Sequence, residues 1–262
     1  MAKQAIAKYQ ASLDMQQSIM GQVALVTGAA HRVGKAIAFE LARRGAHQVV
    51  HYHASKPETV EQTLSELRAL GVQASAIQAD ISQLSGVEAV FNHVVERFGK
   101  LNILVNSASI FQKRTLDEVT SEEWDETMRV NLKAPFMCTQ AAAKLMRHND
   151  PIGGVIVNIL DRGSVSPWPE FAHHGISKAG LFMLTKTAAV SYAPHIRVNG
   201  VIPGPVMKPD YLSDQDWVAA GNRTLLKRVG FAEDVARAVA YLVEEDYLTG
   251  VTIPVNGGRN LT

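Results

Sequence analysis

The chain predicts an α/β protein: a doubly wound parallel sheet in a single domain, with helices covering both faces. From Val23 onward, short β-rich runs alternate with longer segments of helical pattern. The strand runs are apolar throughout instead of alternating, as they are when both faces of a sheet are covered. A glycine-bearing turn joins the first strand to the first helix, the place where such folds bind anions at a helix N-terminus.

Val23–Thr27 reads as the first strand, followed by that turn and a helix over about Val33 to Arg44. His47–Tyr52 is the second strand and Pro57–Leu70 the second helix. Ala74–Gln78, Leu84–Phe98, Ile103–Asn106 and Glu122–Met146 continue as strand, helix, strand and one long helix. Val155–Ile159 is a strand and Gly175–Ala193 a helix. Arg197–Val201, Glu233–Val243 and Val251–Val255 close the series as strand, helix, strand. Pro205–Trp217 falls between elements and is expected to be a substrate loop. Residues 1–20 are mostly polar, without the apolar core of a signal peptide, and are expected to form a flexible arm or a short extra helix ahead of a domain over 21–262.

The 262 residues are 47% hydrophobic and 19% charged, enough to bury a full core in one domain. A formal net charge of +1 gives no global basic surface for nucleic acid or membrane. No apolar run reaches the roughly 18–20 residues that span a bilayer. Cys138 is the single cysteine, so neither an intrachain disulfide nor a cysteine metal cluster can form; this suits a reducing cytoplasmic setting, and no metal is expected.

The motifs gather at the carboxyl ends of the strands, where ligands bind in such sheets. In Thr27–Gly34, Gly28 permits a tight turn, Gly34 lets the helix pack close, and the helix start faces a pyrophosphate; His31, Arg32 and Val33 lie between. The second strand ends in His51-Tyr52-His53-Ala54-Ser55 without the Asp or Glu that binds a ribose 2′-hydroxyl. His53, Ser55, His31 and Arg32 instead supply donors for a 2′-phosphate, which favours NADPH over NADH. Asp80-Ile81 follows the third strand, placed to accept from an adenine amino group. Asn106, Ser107 and Ala108 follow the fourth, small enough for close backbone approach. Asn131 lies inside the long helix; asparagine is a poor interior helix residue, so a kink or a polar role is expected, with a solvent-facing side chain as the alternative.

Together these motifs resemble the short-chain dehydrogenase/reductase family, over about Gly21 to Gly258 and including Pro203-Gly204 and Val255–Gly258. Such a protein has a Rossmann-type fold. A narrower resemblance is to pteridine reductases, through Arg32, His51–Ser55, Ser109-Ile110-Phe111 and Asp161 in place of the wider family's serine. That resemblance implies a pterin substrate, with Phe111 stacking on the ring and Ser109 and Arg32 orienting it. Ala54 and His31 depart from it, replacing an arginine and a lysine common at those places. The family is usually dimeric or tetrameric through the long helices near Glu122–Met146 and Gly175–Ala193, so a homotetramer is expected.

The family's catalytic spacing is present as Asp161, twelve residues to His174, then three to Lys178, with histidine where the family has tyrosine. The resemblance assigns Lys178 to the nicotinamide ribose, Asp161 to a proton relay and substrate contact, and Asn131 to holding a water on the lysine side. An imidazole can exchange a proton near neutrality. It reaches less far than a phenol, and a shortfall of about 1 Å can cost on the order of a hundredfold in rate. Three roles for His174 stay open: a working acid that contacts substrate, a weak substitute in a cofactor-binding protein, or a variant position in an ordinary reductase. An ordinary carbonyl reductase is the alternative function, against which Asp161 speaks, because serine is the usual donor to a carbonyl oxygen. His173 is read as a rim residue. Trp168 and Trp217 either cover the substrate cleft or belong to the core.

Overall fold

The computed structural model describes residues 18–261. Seven parallel strands form one sheet: β1 (Val23–Val26), β2 (His47–Tyr52), β3 (Ala74–Gln78), β4 (Ile103–Asn106), β5 (Gly154–Ile159), β6 (Ile196–Pro203) and β7 (Thr252–Val255). Their order is β3-β2-β1-β4-β5-β6-β7, so the chain reverses its direction of winding between β1 and β4. A crevice opens beyond the strand ends at such a reversal.

Eight α-helices cover the sheet among the described residues. α1 (Arg32–Arg43), α2 (Pro57–Arg68) and α8 (Ala232–Glu244) pack on one face, through Ile37, Leu41, Leu64, Leu67, Val235 and Val239. α3 (Leu84–Phe98), α5 (Ala134–Met146) and α6 (Ala172–Tyr192) cover the other, through Val90, Val94, Cys138, Met146 and Ala188. α4 (Ser121–Met128) and α7 (Asp214–Asn222) lie toward the cleft end. β1 and β4 are buried along their whole length, which explains their unbroken apolar runs. Pro57 opens α2 where its missing N–H costs nothing, and Gly99, at φ +69°, ends α3 in the left-handed region. No helix among the described residues is long and apolar enough to cross a membrane.

Three expectations change. The long helix over 122–146 is two helices joined by a π-turn at Arg129–Lys133, so the polar role expected of Asn131 comes with a local break, and its side chain is buried. A wide turn of this kind often marks a functional site. The loop over 205–217 contains the start of α7, which Ser213 caps by accepting from Asp216 N at 3.0 Å. α6 begins at Ala172, three residues earlier than expected, so both histidines occupy its first turn. His173 is buried and not a rim residue: it sits beside Glu123 of α4, and burial holds its pKa below the ordinary histidine value. Residues 1–17 of the expected arm lie outside the described residues, and Ile19 is packed into the core.

Candidate active site

A cleft of about 1300 Å³ runs along the strand ends, larger than a pocket for one drug-sized ligand. At its β1 end the turn is a tight cradle. Gly28 has φ +67°, and a Cβ there would lie 3.0 Å from Ala108 Cα; a Cβ on Gly34 would lie 2.3 Å from Gly28 O. α1 starts without a side-chain cap, because the His31 ring meets Ser55 Oγ at 3.2 Å instead. An uncapped helix start behind a glycine turn fits a pyrophosphate. Arg32 holds φ +57°, a left-handed conformation that favours glycine, so the turn carries backbone strain beside the cleft. His53 and Asp80 face the same end, with Ile81, Val33, Ser107 and Ala108 completing the wall.

His51 serves a different purpose from its neighbours. Its Nε2–H donates to Ala79 O at 3.0 Å and its Nδ1 accepts from Gly28 N at 3.3 Å, tying the cradle to the ends of β2 and β3. Burial pushes its pKa down to about 4, so the ring is neutral near pH 7. Asn106 also turns inward, donating to Asn158 Oδ1 at 2.8 Å and Thr139 Oγ1 at 3.3 Å; its side chain joins β4 to β5 and does not line the cleft.

At the β4–β5 end the expected catalytic residues converge. Asp161 caps a short turn at Arg162–Ser164, accepting from Gly163 N at 2.7 Å. A Cβ on Gly163 would lie 2.7 Å from Gly175 Cα, so this turn presses on the start of α6. That contact sets Asp161 Oδ2 3.6 Å from His174 Nε2, a charge contact longer than a hydrogen bond. Burial raises the Asp161 pKa, but His174, the Gly163 N–H and Lys178 outweigh it and hold the carboxyl below its ordinary value. Lys178 is buried and donates to Ile159 O at 2.9 Å; burial pushes its pKa down to about 8.

Asn131 fixes the imidazole's tautomer. Its Nδ2 donates to Ile110 O at 3.0 Å and Ser177 Oγ at 3.2 Å, and its Oδ1 accepts from Ile110 N at 2.9 Å and Ser109 Oγ at 3.0 Å. With both amide hydrogens used, its 3.3 Å approach to His174 Nδ1 is no hydrogen bond. His174 Nδ1–H therefore donates to Ile110 O, 3.1 Å away. Nε2 has no hydrogen-bond partner among the described residues and is left as the nitrogen that faces Asp161.

An aromatic wall stands beside this group. Phe111 stacks on Phe171 at 4.4 Å, meets His174 edge-on at 4.7 Å and lies 5.6 Å from Trp168. A parallel bridge between Arg114 and Phe171 fastens the loop after β4 to the start of α6. Trp168, Trp217, Ser109, Pro203 and Gly204 also line the cleft. The roles of Ile110 O, Ser177 and His51 were not readable from residue type: a carbonyl carries no sequence signal, and a helix serine or strand histidine has many ordinary uses.

A profile of the enoyl-(acyl carrier protein) reductase family matches residues 28–260. A 3-oxoacyl-[acyl-carrier-protein] reductase from Staphylococcus aureus is 38% identical over 244 residues, covering 91% of this chain and 98% of that protein. The chain belongs to the short-chain dehydrogenase/reductase family. As a member, it is an NAD(P)H-dependent oxidoreductase. Among solved structures of the family, the FolM alternative dihydrofolate reductase 1 from Brucella canis, complexed with NADP, superposes with a TM-score of 0.87 at 30% identity, covering 94% of this chain and 96% of that one. A blue fluorescent protein from a metagenomic library, in complex with NADPH, superposes at 0.86 with 32% identity, covering 93% and 99%.

Proposed function

We propose that this short-chain dehydrogenase/reductase reduces a pterin or a similar flat heterocycle with NADPH, using His174 as the proton donor. The observation that carries this reading is the aromatic wall of Phe111 and Trp168 standing against an Asp161–His174 pair in the same cleft. A flat ring gains by stacking on such a wall, at roughly 0.5–1.5 kcal/mol per aromatic pair beyond burial. NADPH, held along the β1 cradle, supplies the hydride.

The chain's own groups supply the rest. Nδ1–H stays on Ile110 O, so Nε2 is the ring atom that gives up a proton to the substrate. The Asp161 carboxylate, kept ionised by its neighbours, stabilises the imidazolium that precedes transfer. Lys178, buried on the same side, supports the ribose. Asn131 positions the ring by clamping the 109–110 segment, with Ser109 Oγ committed to that clamp. His31, His53, Ser55 and Arg32 favour a 2′-phosphate over a bare hydroxyl. The relative from Brucella canis, a dihydrofolate reductase by name, supports the ring assignment.

Similarity to 3-oxoacyl reductases favours a second reading, reduction of a carbonyl substrate. Asp161 argues against it, because an ionised carboxylate accepts hydrogen bonds and cannot donate one to a carbonyl oxygen. Exposed apolar residues on α5 and α6, among them Phe136, Met183 and Val190, support association into an oligomer, which the family resemblance makes a homotetramer, and the single free cysteine suits a cytoplasmic enzyme. The test is NADPH oxidation with dihydrobiopterin, dihydrofolate and a carbonyl panel across pH, for the parent and His174→Tyr. Turnover of pterins by the parent, rising as pH falls, supports histidine as the acid. Pterin turnover only in His174→Tyr removes His174 from that role, and turnover of carbonyls alone removes the ring assignment.

A further inference from the structure

The β1 end of the cleft takes its polar groups from two segments, the turn after β1 and the loop after β2. Among the residues of those segments that line the cleft, Arg32 alone carries a permanent charge. The other groups able to meet a phosphate there are His31, His53 and Ser55. Neighbouring charges are turned elsewhere. Lys35, one turn along α1 from His31, is paired with Glu66 of α2 at 2.9 Å. Lys56 and Glu58, at the start of α2, are exposed and do not line the cleft. His53 is exposed with Asp80 beside it, and Arg129 of the π-turn acts on the same carboxyl. An acid at that distance offsets the charge His53 can offer a ligand, so the selective role falls to His31.

His31 is exposed at the start of α1 and bridges the two segments, its Nδ1 meeting Ser55 Oγ at 3.2 Å. A hydroxyl donates to a neutral imidazole and accepts from a charged one, so this contact survives protonation of the ring. Nε2 is the nitrogen left to meet a ligand in either state. Histidine changes charge between pH 5 and 8, where lysine and arginine stay charged. A phosphate monoester carries close to two negative charges at pH 7. Such an anion favours the charged ring, and a charge-assisted hydrogen bond is roughly twice as strong as a neutral one. His51, with its pKa pushed down to about 4 by burial, stays neutral through this range and adds nothing to the effect.

We infer that His31 decides NADPH over NADH, and does so as an imidazolium, so that the choice of cofactor is coupled to uptake of a proton at the 2′-phosphate. This rests on the assignment of NADPH as the cofactor and is independent of the ring assignment. NADH shares the whole cradle and lacks only the phosphate, so the effect belongs to the ratio of the two affinities. Any other titration that alters the cradle cancels in that ratio.

The test reads binding without turnover. The Kd values of NADPH and NADH are measured by nicotinamide fluorescence between about pH 6 and 8.5. Proton uptake is measured by titration calorimetry of NADP+ and NAD+ in buffers of different ionisation enthalpy. In the unmodified protein, the preference for NADPH should fall roughly tenfold as pH rises across that range, since one unit of pKa displacement is worth about one decade in affinity. NADP+ should take up a fraction of a proton near neutrality that NAD+ does not. His31→Lys should keep the preference and abolish both its pH slope and the uptake. His31→Gln should lower the preference near pH 6 to about the parent's value at the alkaline end, whereas His53→Gln should keep most of the slope. A preference for NADPH that is level across pH, or proton uptake that survives His31→Gln, leaves NADPH as the cofactor and overturns the role of His31. Equal affinity for the two cofactors at every pH removes the NADPH assignment and this inference together.

Discussion

At the residue scale, two buried basic groups tie stability to pH in ways that can be measured. The His51 pKa falls from 6.5 to about 4 because the ring is buried, so the unfolded chain binds a proton that the folded chain refuses. The stability of the neutral ring is complete above pH 6.5 and lost as pH falls toward 4, by about 2 kcal/mol at pH 5. His51→Gln keeps at most one of the two hydrogen bonds. It should be less stable than the parent at pH 7 by roughly 1–2 kcal/mol, with the gap closing at pH 5, as read by urea unfolding. Lys178, lowered from 10.5 to about 8 by burial, follows the same sign at higher pH. Between those values the unfolded chain holds more protons, so stability rises with pH there, and the burial cost of roughly 3 kcal/mol is fully present below pH 8. Lys178→Met should therefore lose turnover yet unfold at higher urea than the parent at pH 7, with its advantage shrinking at pH 9.5.

At the element scale, the π-turn between α4 and α5 brings Asn131 inward, where four of its hydrogen bonds reach Ser109, Ile110 and Ser177. Those bonds hold the carbonyl that fixes His174. Asn131→Ala should destabilise the fold by about 1–3 kcal/mol, because partners are left unsatisfied in a buried site. It should also lower kcat at least tenfold while changing the Kd for NADPH far less, since the cradle lies on another segment. Stopped-time turnover alongside fluorescence titration separates the two, and an equal loss in both would remove Asn131 as a positioning residue. The periodicity over 122–146 was legible as helix, and Asn131 was legible as an oddity inside it. The extra backbone residue that makes the turn wide carries no pattern of its own.

At the scale of the whole molecule, the sheet order sets two ends of one cleft against each other, a glycine-turn cradle over β1–β3 and the Asp161, His174 and Lys178 group over β4–β5. Outside the cleft, Phe136 on α5 lies exposed beside a shallow apolar groove that includes Met128, Leu132 and Leu184. Burial of such a surface between subunits is worth about 25 cal/mol per Å² of apolar area. The protein should therefore sediment as an oligomer at micromolar concentration, and Phe136→Glu should shift it toward smaller species. Sedimentation of the parent as a monomer would assign those residues another purpose.

The sequence by itself determined the sheet, the order of its elements and most of the cleft lining, because apolar runs, helical periods and glycine turns act through local geometry. Gly28, Asp80, Asp161, His174 and Lys178 were identifiable because their spacing follows the strand ends. Only the tertiary structure decided which way side chains turn. It buried His51, His173 and Asn106 and gave Asn131 to a clamp. It closed the distance from Asp161 to His174 through the contact of Gly163 with Gly175. Such a meeting of residues far apart in the chain depends on how helices and turns pack and not on neighbours in the sequence.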